Sequence, residues 1–167
     1  MLERRWQYIA GGYPRRSFAG LMALYETNYA RLQKLVPHLH TIRGPEAASS
    51  AGALDLYLEV LDRARYTTTL SLTYYFRHDG ESVAEPDARI RIYHDARMAE
   101  VLGCRDHRTG VRAGGVAGSA GLMLARRWEV NLFLEKWLNY CLRQDYDFRP
   151  TPRLLPGAAE LELLDGA

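Results

Sequence analysis

Cysteine is nearly missing from this chain of 167 residues: Cys104 and Cys141 are the only two, too few for a disulfide framework. No N-x-S/T acceptor for glycosylation occurs either. Both absences point to a reducing cytoplasm as the compartment. Long apolar runs are missing too, and nothing approaches the roughly 18 apolar residues of a membrane span. The segment RRSFAGLMAL (15 to 24) has the outline of a twin-arginine export signal. Its apolar stretch stops at Tyr25-Glu26, so it reads as the start of a helix.

Charge of one sign is also lacking. With 22 bases against 20 acids and a net charge of +2, the chain has no field strong enough to hold nucleic acid non-specifically. Lysine is scarce, 2 residues against 20 arginines. The bias suits bidentate anion contacts, although codon usage accounts for it as simply. Phosphate loops are absent: the glycine-rich GVRAGGVAGSAG (110 to 121) is neither G-x-G-x-x-G nor a loop ending in Lys and Ser/Thr, and reads as an insertion.

What is present is periodicity. Leu21, Leu24, Tyr25, Asn28, Tyr29, Leu32, Leu35 and Val36 recur at helical spacing until Pro37 stops them. After a small, polar loop at 43 to 52 the period changes to two. Leu54, Leu56, Leu58 and Val60 face one way, and beyond a turn at 62 to 64, Tyr66, Thr68, Leu70, Leu72 and Tyr74 do the same. If these sets share a face, paired positions have an even sum, as in Val60 with Tyr66, and a three-residue turn satisfies that. Residues 77 to 87 read as a longer connection, 88 to 94 as a third strand and 97 to 102 as a fourth. A two-residue turn at Asp95-Ala96 pairs Arg91 with Glu100. Last, Val130, Phe133, Leu134, Trp137, Leu138 and Cys141 make a second helical stripe.

The order implies an α+β fold: a four-stranded antiparallel meander sheet with N- and C-terminal helices packed on one face. Residues 18–148 form the single domain, with a glycine-rich insertion at 108–122, an N-terminal extension at 1–17 and a flexible C-terminal tail at 149–167.

Four stretches, ETNYARLQKLVP (26 to 37), LEVLDRARYTTTL (58 to 70), RIYHDARMAEVL (91 to 102) and LFLEKWLNYCL (132 to 142), together resemble the YqiB-like family of small bacterial proteins, a domain of unknown function. The resemblance spans about residues 25 to 143 and departs at 43 to 52, at 110 to 121 and at both ends. It brings no activity and no catalytic residue; relatives are often encoded near nucleotide hydrolases.

Several constellations could carry chemistry. Cys104 with His107, and His38 with His40, have the spacing of half metal sites, but a structural zinc needs four ligands, so no metal is expected. Ser71 and Thr67 to Thr69 sit inside a strand, away from any exposed elbow. Asp62 and Asp95 could work as paired carboxylates beside His94, yet His94 falls on the apolar parity of its strand, as a structural histidine would. Tyr57, Tyr75 and Tyr93 share the polar face with Arg65, Arg89 and Arg91, diluted by Asp55, Glu59 and Glu100, a pattern of solvated cross-strand pairing.

One edge stands out. In a meander the first and third turns lie at the same end of the sheet, which gathers Asp62, Arg63, Arg65, Tyr66, His94, Asp95 and Arg97. Arginine forks there can bind a carboxylate or phosphate. The sequence therefore suggests a non-enzymatic binding or adaptor module, whose partner is a protein or a small anionic ligand, with no cofactor, nucleic acid or membrane. A small hydrolase of a nucleotide-like substrate is the alternative.

Overall fold

In a computed structural model, which describes residues 17–105 and 120–149, Ser17 opens the first helix. Its backbone is extended (φ −89°, ψ 155°), and its hydroxyl accepts from the Gly20 N–H at 2.9 Å, satisfying a donor that every helix start leaves open. Helix α1 (Phe18–Leu35) buries the stripe that the sequence marks, Asn28 included. Strands β1 (Glu46–Ser49), β2 (Leu56–Arg63), β3 (Thr67–His78), β4 (Glu81–Tyr93) and β5 (Met98–Arg105) follow, then α2 (Ala120–Arg143) and the three-residue β6 (Asp147–Arg149).

The strands make one antiparallel sheet in the order β5-β4-β3-β2-β1-β6. Both helices cover one face. Tyr29, Leu32 and Leu35 of α1 and Val130, Leu134, Trp137 and Leu138 of α2 close over Leu56, Leu58, Leu70, Leu72, Ile90 and Ile92. Burying that much apolar surface is the main stabilising term. A polar tie joins the layers: Asn131 accepts from the Val101 N–H at 2.9 Å, while Asn28 Nδ2 donates to the Asn131 carbonyl at 3.1 Å. Helix α2 thereby satisfies a main-chain donor of β5, a strand at the sheet's edge.

The expected four-stranded meander is present as β2 to β5, and it is extended at one side by β1 and the short β6. The segment at 43 to 52 is thus not simply a loop. EAAS has no β-branched or aromatic side chain to announce a strand, and only pairing with β2 and β6 makes it one. Nor is 77 to 87 a long connection. Asp79 (φ 50°) and Gly80 (φ 85°) close a two-residue hairpin with His78 opposite Glu81. Pro86 fits because the ladder shifts there, from Thr73 opposite Asp87 to Tyr75 opposite Ala84, so the missing N–H is not needed.

Other limits move as well. Leu54 is 45% and Tyr66 52% exposed, since each lies beyond the end of its strand. Helix α2 begins at Ala120, ahead of its apolar stripe, because Leu122 and Met123 in its first turn are exposed and give no period. Residues 120–122 of the expected insertion are therefore helical, Ser17 of the expected extension is a helix cap, and Arg149 of the expected tail is in β6. The remainder of those three segments lies outside the described residues.

Candidate functional site

The first hairpin tip is shaped by a slip in the ladder. Tyr57 opposite Thr73 and Val60 opposite Leu70 keep the even sum, although four residues from the expected register. Between Val60 and Asp62 the register shifts, so that Asp62 faces Thr69 and Arg63 faces Thr68. The extra residue, Leu61, is a bulge that inverts the parity of everything after it. The tip then closes in two residues, Arg65-Tyr66, with the Ala64 N–H donating to the Thr67 carbonyl at 2.9 Å, instead of the three expected.

That inversion separates two of the predicted site residues. Asp62 joins Thr69 on the face without helices, where Arg91 Nε donates to Thr69 Oγ1 at 3.3 Å. Arg63 turns to the helix side. Its guanidinium donates to the carbonyls of His40 (2.7 Å), Ile42 (3.0 Å) and Leu39 (3.3 Å), closing the turn that follows α1. One cation thus ties the end of α1 to the end of β2.

The second tip has the register that the sequence predicts, with Arg91 opposite Glu100 and Tyr93 opposite Met98. The two tips meet: the His94 N–H donates to the Tyr66 carbonyl at 2.9 Å. The half-buried His94 ring lies 2.8 Å from Thr68 Oγ1 through Nε2 and stacks, tilted, on His40 with centroids 4.5 Å apart. Its Nδ1 is buried with no hydrogen-bond partner. Burial, then the charges of His40 and Arg63, hold the His94 pKa below the ordinary histidine value, against the opposing pull of Asp95. Around this centre Arg65, Asp95 and Arg97 are exposed, the Arg65 guanidinium sits 5.0 Å over the Tyr66 ring, and Arg97 takes a positive φ of 55°.

Of the seven predicted residues, therefore, Arg65, Tyr66, His94, Asp95 and Arg97 are at one edge, Arg63 is engaged in the turn beneath it, and Asp62 is on the other face. Sequence reasoning missed the parts that His40 and Thr68 play beside His94. The signal available for His40 was its spacing from His38, which suggested a metal pair. The two diverge instead, His38 Nε2 meeting Glu46 Oε2 at 2.6 Å while His40 meets His94.

The other candidates settle into structural roles. Ser71 donates to Asp87 at 3.0 Å, Tyr93 donates to Glu100 at 2.6 Å, and Tyr57 packs edge-on against Tyr75, so the open face is paired across its strands. Burial pushes the Cys141 thiol up to about 11, the wrong direction for a nucleophile at neutral pH. Cys104 is buried on β5, whereas His107 lies outside the described residues. Among the described residues no group of three or more His, Cys, Asp or Glu is placed to hold a metal, and no helix is long and apolar enough to cross a membrane.

Comparison with known proteins agrees with the resemblance. The chain is 24% identical over 128 residues, 75% of its own length and 88% of the relative's, to "Uncharacterized protein YqiB" of Escherichia coli strain K12, and equally to that of strain O157:H7. No solved structure matches it. Residues 31–147, from the second half of α1 to the start of β6, match the family described as "Protein of unknown function (DUF1249)", and the chain belongs to that family.

Proposed function

We propose that this protein is a binding or adaptor module that recognises an anionic group, a phosphate or a carboxylate, at the edge formed by its two hairpin tips. The observation that carries the reading is the main-chain bond between Tyr66 and His94, which locks two tips bearing exposed arginines against each other. Arg65 and Arg97 supply planar forks suited to bidentate contacts. Arg63 serves differently from the sequence expectation: it holds the turn that carries His40, and so supports the edge from below.

The test sets the wild type beside a folded Arg65→Ala, Arg97→Ala double variant. Each is titrated with inorganic pyrophosphate and with a glutamate-rich peptide, which separates a small anion from a partner's acidic segment. Losing charge-assisted contacts worth about 1.5 to 3 kcal/mol apiece weakens binding by more than tenfold. Equal binding by both proteins would reduce the edge to a pair of wet turns. Phosphate release from nucleotides in the same screen would favour a hydrolase instead.

A further inference from the structure

The two histidines that meet at the hairpin-tip edge have unequal surroundings. The His94 ring is half-buried: its Nε2 lies 2.8 Å from the hydroxyl of the fully buried Thr68, and its Nδ1 is buried without a hydrogen-bond partner. His40, its ring centroid 4.5 Å from that of His94, is exposed. A charged imidazole carries a donor on both nitrogens. On His94 the Nδ1 donor would face no acceptor and the charge would leave water, whereas on His40 neither cost applies. A proton added to the pair therefore goes to His40.

The charges around the pair point the same way. Those of His40 and of Arg63, at the end of β2, oppose a charge on His94, while Asp95 in the second tip favours one. His38, two residues before His40, is turned away to Glu46 of β1. At the edge itself the exposed Arg65 and Arg97 belong to the two tips that the Tyr66 and His94 main chains hold together, and His40 stacks on that same His94. Protonated, His40 adds a third cationic donor to the two guanidinium forks. Three cations at one edge repel, and an anion bound among them removes that cost.

We infer that His40 is a third binding residue of the hairpin-tip edge, and that an anion bound there brings a proton onto its imidazole while His94 stays neutral beneath it. The inference rests on the anion-binding reading above and adds to it a residue and a pH dependence. Linkage is reciprocal: the factor by which the anion favours the proton is the factor by which the proton favours the anion. Imidazoles change charge between about pH 5 and 8. Affinity for an anion of fixed charge therefore rises as the pH falls through that range.

The test uses the full chain and inorganic sulfate, which keeps its charge over this range, unlike phosphate esters with a second pKa of about 6. Calorimetric titration should give about five- to tenfold tighter binding at about pH 6 than at about pH 8, with protons taken up from the buffer. His40→Gln should lose that difference, and His40→Lys, a cation at both pH values, should bind at the higher pH about as tightly as the wild type at the lower. His78→Gln, at the exposed hairpin between β3 and β4, should keep it. Equal wild-type affinity at both pH values, or the full difference retained by His40→Gln, would overturn the inference. The two ideas fail separately. Sulfate binding that is lost in the Arg65→Ala, Arg97→Ala variant but indifferent to pH in the wild type keeps the binding reading and sinks the role of His40. A pH-dependent affinity lost in His40→Gln but unchanged in the double arginine variant does the reverse, and no sulfate bound at either pH sinks both.

Discussion

Arg63 and His94 show how much one side chain can decide at this edge. Arg63 donates to three carbonyls of the turn after α1. Replacing it with Ala leaves those acceptors to water and should cost about 1 to 3 kcal/mol, read as a lowered denaturation midpoint with unchanged slope. A loss below about 0.5 kcal/mol would mean that the turn stands without it. His94 makes a prediction about pH. Its folded pKa is held down by burial and by the neighbouring charges of His40 and Arg63, so below the unfolded value near 6.5 the unfolded chain takes up the proton more readily than the folded one. Its contribution is therefore fully present above about pH 6.5 and is lost as the pH falls toward the depressed folded value. Denaturation midpoints measured from pH 8 down to 5 should decline, and His94→Gln should flatten the decline. An equal slope in the variant would remove His94 from the account.

At the scale of elements, α2 holds the sheet through Trp137. The ring is buried against Tyr74, and its Nε1 donates to the Tyr74 hydroxyl at 3.0 Å. Trp137→Ala should cost about 3 to 5 kcal/mol by chemical denaturation, the usual range for truncating a core aromatic. A loss under about 1 kcal/mol would contradict the packing of α2 on the sheet. The opposite surface behaves as an ordinary solvated sheet face, because its hydroxyls and charges already pair across strands, as Ser71 does with Asp87 and Tyr93 with Glu100. Arg65 and Arg97 at the tips, by contrast, are exposed and lie beyond the ends of the ladder.

For the whole molecule, residues 150–167 carry neither a helical stripe nor a sustained alternation, so the fold is expected to stand without them. Removing those residues should therefore shift Tm by no more than about 2 to 4 °C. A larger drop in a thermal melt would mean that the segment is part of the core.

The sequence determined the elements whose side chains repeat. The apolar stripes of both helices, the alternation of β2 to β4 and the pairing of Arg91 with Glu100 are legible because periodicity encodes which face is buried, and opposite charges mark the register. The gathering of Arg65, Tyr66, His94, Asp95 and Arg97 was legible too, because a meander returns its first and third turns to one end. Tertiary structure alone decided the rest. EAAS became a strand because β2 and β6 offered it hydrogen bonds, not because its side chains favour one. The bulge at Leu61 sent Arg63 and Asp62 to opposite faces, and a one-residue shift in pairing leaves no mark in a periodic pattern. His40 came to His94 across more than fifty residues of chain through the turn that Arg63 closes. Such a contact depends on how α1 lies over the sheet, which is fixed by packing among side chains distant in sequence and has no local signal to read.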